Sequence, residues 1–153
     1  LKIWGTFMVC CLCILTLMGC NPEIPKYPKP PLPTITADGK KVSAVRGSYC
    51  WKSGNKGECV DAIESTELVK NHQPIPVLPQ TKLLIHFDYP PKGGTLKAEQ
   101  WSNGKTWADG KVKPIPIQNQ SMILPHEKGK YIYHIYGNWK EGSASYFFVI
   151  EVR

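Results

Sequence analysis

Arginine is nearly missing from this chain. Of 19 basic residues only Arg46 and Arg153 are arginines. The guanidinium fork is the preferred reader of base edges and phosphates, so a lysine set argues against sequence-specific nucleic-acid recognition. Cysteine is scarce beyond residue 20, where Cys50 and Cys59 are the last two. Two thiols do not make a four-ligand zinc site, and their spacing is not the Cys-x-x-Cys of a redox centre. The histidines, His72, His86, His126 and His134, show no metal-ligand spacing. There is no Gly-x-Ser-x-Gly elbow, no triad order and no glycine-rich phosphate loop. Asp61, Glu64 and Glu67 form a small acidic cluster, whose default role is a solvated loop. The chain therefore reads as non-catalytic, with no metal and no cofactor. Long stretches free of helix breakers are also lacking. With 14 prolines and 13 glycines in 153 residues, a long-helix architecture is excluded and strands with turns are favoured.

What is present is enough for one folded domain. Hydrophobic residues make up 42% and charged residues 20%, so the chain buries a core. The net charge is +7. A lysine-rich surface keeps a protein soluble, and it also suits attraction to anionic lipids or polyanionic wall polymers.

The N-terminus carries an address. Lys2 is followed by Ile3 to Met18, an almost wholly apolar run. It is short for a bilayer span and the right size for the core of a secretory signal. The run ends at Leu17-Met18-Gly19-Cys20, which resembles the lipobox of bacterial lipoproteins. That resemblance implies cleavage before Cys20 and a lipid on its thiol. Residues 1–19 are then the signal peptide, and two or more acyl chains on Cys20 give stable anchoring. The expected location is the extracytoplasmic face of the cell membrane.

Six prolines follow: Pro22, Pro25, Pro28, Pro30, Pro31 and Pro33. Such a stretch prefers an extended polyproline conformation. Residues 20–36 are expected to form a tether, with the globular domain over 37–153. At about 3.1 Å per residue a fifteen-residue stalk reaches roughly 45 Å. A ligand for a proline-binding domain is the competing use of Pro28-Lys29-Pro30-Pro31.

The body breaks into short apolar runs separated by turn chemistry. Ala37-Asp38-Gly39-Lys40 is a turn. Leu83 to Tyr89, Thr95 to Trp101, and Met122 to Leu124 are strand candidates. Asn103-Gly104 and Ala108-Asp109-Gly110 mark further turns. Pro114 and Pro116 assign Val112 to Ile117 to a sheet edge. Ser65 to Lys70 is one short helical turn capped by Ser65. In the C-terminal hairpin, Tyr131, Tyr133, Ile135 and Trp139 share one face, and Ala144, Tyr146, Phe148, Ile150 and Val152 form a second apolar face. The pattern predicts an all-β antiparallel sandwich. Gly129-Lys130-Tyr131-Ile132-Tyr133, followed by a glycine turn and a terminal strand, resembles the last strands of immunoglobulin-like domains.

The segment Gly47-Ser48-Tyr49-Cys50-Trp51 through Cys59-Val60-Asp61 is the most individual one. Two glycines and an asparagine lie between the cysteines and let the chain reverse. In an exported chain this pair predicts a disulfide, Cys50–Cys59. The Tyr-Cys-Trp block, a second Cys soon after and the terminal Gly-x-Tyr-x-Tyr hairpin resemble small secreted or lipid-anchored proteins of Bacillus-type bacteria. That resemblance implies a fold and an address, and no activity.

Trp51 and Trp107 lie beside turns. There they serve either as exposed platforms for a sugar or peptide, or as core and hairpin packing. The first use makes Tyr49, Trp51 and Trp107 the expected ligand-binding residues, with the disulfide fixing Tyr49 and Trp51 as a rigid aromatic surface. The expected function is a surface lipoprotein that binds a protein or peptide partner in the envelope. The alternative is a module for wall glycans, or an inhibitor of an extracellular hydrolase or protease.

Overall fold

The computed structural model describes residues 26–63, 65–102 and 112–153. In chain order the strands are β1 (Thr34–Ala37), β2 (Lys40–Val42), β3 (Val45–Ser53), β4 (Lys56–Val60), β5 (Ile75–Val77), β6 (Lys82–His86), β7 (Lys97–Ser102), β8 (Val112–Ile115), β9 (Ser121–Ile123), β10 (Gly129–Asn138) and β11 (Gly142–Val152). One short helix, α1 (Ser65–Val69), lies between β4 and β5.

The C-terminal hairpin forms as its alternation demands. Strands β10 and β11 pair antiparallel over their full length, from Gly129 opposite Val152 to Asn138 opposite Ser143. The inward set of β11, Ala144, Tyr146, Phe148, Ile150 and Val152, is buried throughout. A strand has two edges, and β10 covers one edge of β11 completely. The other edge is shared between β3, which pairs with Gly142 to Phe147, and β5, which runs parallel to Ile150–Val152.

The large sheet has the order β4-β3-β11-β10-β7-β8, with β5 joined to β11. The small sheet has the order β2-β1-β6-β9. The two enclose one core that includes Trp51, Phe87, Tyr133, Trp139, Tyr146 and Phe148. The domain is an all-β sandwich of the immunoglobulin-like kind. From β5 onward the chain supplies strands to both sheets, and the Tyr131 hydroxyl donates to the Glu127 carbonyl at 2.9 Å. A tyrosine at the start of a late strand bonding back to upstream backbone is the corner that pins such sandwiches. Two N-terminal hairpins extend this frame. The first adds β1 to β6 in the small sheet, and the second adds β3 to β11 in the large one.

Local chemistry explains the elements. Asp38 and Gly39 both have positive φ (50° and 70°), which gives the tight turn between β1 and β2. Strand β8 sits at the sheet edge, and Pro114 within it has no N–H to offer an outer neighbour. Helix α1 packs on the outer face of the large sheet. There Val69 joins Trp101, Ile132 and Phe147 in a second, smaller apolar cluster. Phe147, on the face of β11 opposite the main core, is therefore buried too.

The tether differs from expectation. The folded domain begins well before residue 37. Strand β1 starts at Thr34, Pro30 and Pro33 are buried, and Tyr27 packs against the main core. The prolines that suit an extended chain also present ungated carbonyls, and the domain uses them. Residues 1–25, with Cys20, lie outside the described residues, as do Glu64, the Asn103-Gly104 and Ala108–Gly110 turns, and Trp107.

Candidate functional site

Residues 27–33 form a strap across one end of the sandwich. The Trp51 indole Nε1–H donates to the Tyr27 carbonyl at 3.0 Å, and the Ser53 hydroxyl reaches the same oxygen at 3.3 Å. Arg46 donates from its guanidinium to the Pro30 carbonyl at 2.7 Å. The Tyr146 hydroxyl donates to the Pro31 carbonyl at 2.5 Å. The Tyr27 ring stacks on Tyr89 with centroids 4.6 Å apart and planes 10° from parallel. Extended proline backbone has no internal hydrogen bonds, so its carbonyls are free to accept donors of this kind. Aromatic side chains and directed donors on a proline segment are the ordinary chemistry of proline-peptide recognition, here used within one chain.

The disulfide lies beside the strap. Cys50 and Cys59 stand opposite each other in the β3–β4 ladder, with Cα atoms 4.0 Å apart, and their sulfurs are bonded. Alternation along β3 decides what the hairpin shows to solvent. Tyr49 and Trp51 point inward, while Cys50 and Lys52 point outward. This overturns the expected aromatic platform. Trp51 is 3% exposed and packs edge-on to Trp139 at 5.8 Å; Tyr49 is 8% exposed. The disulfide and polar side chains face outward instead, and the rings of Tyr49 and Trp51 do not form a surface for a ligand.

An open groove of about 670 Å³ runs from the disulfide to the β10–β11 turn. Lys52, Lys92 and Lys140 line it together with Glu58 and Glu141. The Glu141 carboxylate accepts the Tyr89 hydroxyl at 2.8 Å. That bond is the main reason the Tyr89 hydroxyl is held above its ordinary pKa. Burial raises the Tyr49 hydroxyl, and the neighbouring Glu58 raises it further. Both acids are thus turned toward tyrosines. Among the described residues the three lysines carry no salt bridge. The Gly142 backbone closes the groove floor. A Cβ there would lie 1.9 Å from the Cys50 carbonyl oxygen, so only glycine allows the two strands to approach.

The histidines do not come together. His86 in the small sheet pairs with the exposed Asp88 at 3.3 Å. His134 in the large sheet holds Glu99 across the ladder, Nδ1 to Oε2 at 3.3 Å, and stacks on Phe147 with centroids 4.5 Å apart. Burial holds the His134 imidazole below its ordinary pKa, and Glu99 acts in the opposite direction. Of the acidic residues after Cys59, Asp61 is exposed and Glu67 pairs with Lys70. Among the described residues no three His, Cys, Asp or Glu side chains converge on a metal position, and no helix is long and apolar enough to cross a membrane.

Comparison with protein-family models, with curated proteins and with solved structures finds no match to this chain.

Sequence reasoning missed the strap donors. Arg46 and Tyr146 are separated by 100 positions and meet only through the pairing of β3 with β11. It also passed over three exposed apolar side chains, Leu78, Leu84 and Ile123, whose exposure depends on which strand face packs inward.

Proposed function

We propose that the protein is a non-catalytic surface lipoprotein, held by a lipid on Cys20 at the extracytoplasmic face of the cell membrane, whose sandwich binds a protein partner in the envelope. The observation that supports this reading is the exposure of Leu78, Leu84 and Ile123, at 67%, 46% and 56%. Leu84 on β6 lies opposite Ser121, and Ile123 on β9 lies opposite Lys82, so the two are diagonal neighbours on the outer face of the small sheet. Leu78 lies in the turn before β6. Gln80 and Leu124 tie that turn to the end of β9 through bonds to the Pro125 and Thr81 carbonyls. Strand β9 is also an end strand of its sheet. Ser121 already exchanges both backbone bonds with Gln118, so it is the exposed apolar face of the small sheet, rather than its edge, that favours a partner's apolar surface.

The test places a photo-crosslinking residue at position 123 and, as a control, at position 113 in cells. One envelope protein should crosslink from 123 and not from 113, and Leu84→Lys in the 123 background should reduce that product at least ten-fold. Equal products from both positions would overturn the binding face. In parallel, Cys20→Ser should abolish palmitate labelling; unchanged labelling would overturn the anchor.

A further inference from the structure

The strap fixes where the chain joins the sandwich. Tyr27 is held at the end built by the β3–β4 turn, the loop after β6 and the β10–β11 turn, through Trp51, Ser53 and Tyr89. The loop after β6 is tied to the β10–β11 turn at that same end. Lys92 N–H donates to the Asn138 carbonyl at 2.7 Å, and Trp139 Nε1–H donates to the Tyr89 carbonyl at 2.9 Å. Six residues separate Cys20 from Tyr27. Fully extended, at about 3.5 Å per residue, that length spans roughly 25 Å. A free tether would have left the orientation of the domain open. A docked one does not: a lipid at Cys20 keeps this end toward the bilayer and within that distance of it.

The same end gathers lysines. Lys26, Lys52, Lys56, Lys92 and Lys140 are all exposed there, and none has a salt-bridge partner among the described residues. Three acids lie nearby and keep their charge, so the five lysines outnumber them and leave this end net positive. Glu141 accepts the Tyr89 hydroxyl, Glu58 lies against the Tyr49 hydroxyl, and Asp88 pairs with His86. Lysine stems are long and flexible, and their ammonium groups reach outward from the groove rim.

We propose that this lysine-bearing end docks on an anionic phospholipid bilayer and acts as a second membrane signal beside the lipid. The proposal rests on the anchor reading given above. Its two arguments are the short length of chain between Cys20 and Tyr27 and the complementarity of charge. Each lysine near an anionic surface strengthens attachment about five-fold. The attraction acts within a Debye length, so the docked end must lie close to the headgroups, and raised salt weakens it. The arrangement also places the exposed Ile123 of β9 away from the bilayer. Lys82 and Ile123, paired in β6 and β9, lie at the end of the small sheet opposite the one where Thr34 meets His86.

The experiment uses the chain from Asn21 to Arg153, which keeps the strap and every described strand and has no lipid. Vesicles of phosphatidylglycerol with phosphatidylcholine are compared with vesicles of phosphatidylcholine alone by sedimentation. The chain should partition at least ten-fold more strongly onto the anionic vesicles, and the preference should fall as salt is raised. The triple variant Lys52→Glu, Lys92→Glu, Lys140→Glu should lose that preference. The triple variant Lys41→Glu, Lys82→Glu, Lys128→Glu, of equal net charge, should keep it. Equal loss in both variants would show a net-charge effect and overturn the docking surface. No preference for anionic vesicles would overturn it as well, as would capture by soluble polyglycerol phosphate without vesicle binding. Palmitate labelling of Cys20 in cells reports on the anchor alone, so failure of the anchor and failure of the docking surface are read separately.

Discussion

The indole of Trp51 and the carbonyl of Tyr27 share a hydrogen bond of 3.0 Å. That bond joins the strap to the inward side of β3, one residue from the disulfide. The same strand that carries the covalent crosslink therefore holds the incoming chain.

The strap contributes to stability through its carbonyl bonds. Tyr146→Phe removes the donor to Pro31 while keeping the ring in the core. The expected cost is about 1–2 kcal/mol, because a part-buried carbonyl loses its partner. Urea unfolding measures it. Limited proteolysis between Lys26 and Leu32 should accelerate in the same variant; an unchanged midpoint and cleavage rate would mean that the strap is not held by this bond.

Replacing Cys50 and Cys59 with serine should cost roughly 2–3 kcal/mol, the chain-entropy value for a loop of this size. The fold should persist, since the crosslink sits on the outward face of an end hairpin and the core of the main cluster does not include it. Intact mass with and without reductant should differ by two hydrogens in the native chain. Free thiols at full stability would remove the claim.

Gly142→Ala should destabilise by about 3 kcal/mol, at the upper end for overpacking. The added Cβ meets the Cys50 carbonyl and the Trp51 Cα, both backbone atoms that cannot rotate aside. Thermal denaturation measures the loss. Gly57→Ala is the control, since nothing lies within 4 Å of a Cβ at that position.

His134 gives the fold a dependence on mild acid. Burial lowers its pKa in the folded state, so below the ordinary histidine value of 6.5 the unfolded chain binds a proton that the folded chain resists. Stability is then fully present above 6.5 and declines as the pH falls through that value toward the folded pKa. His134→Gln should flatten the decline between about pH 7 and pH 5 relative to the native chain. Urea midpoints across that range decide it, and an equal slope in both proteins would assign the dependence elsewhere.

Much of the fold was legible along the chain because period two is a local signal. Period two runs through Tyr131 to Trp139 and Ala144 to Val152, and they form the central hairpin. Pro114 marked β8 as an edge for the same local reason: a missing N–H. The spacing of Cys50 and Cys59 gave the disulfide, since a glycine-bearing turn between them lets the two strands pair.

What the sequence by itself determined was the all-β class, the terminal hairpin and the crosslink, each written in neighbouring residues. Tertiary structure alone decided which face of β3 turns inward, and so buried Trp51 and Tyr49 while turning the disulfide outward. It also decided that the prolines are docked rather than free, because Arg46 and Tyr146 become neighbours only when β3 pairs with β11. The parallel strand β5 was hidden for a similar reason: Ile75–Val77 is too short to signal itself and exists as a strand because β11 leaves an edge open beyond β3. Alternation says that two faces differ. Only the packing of the sheets says which one is inside.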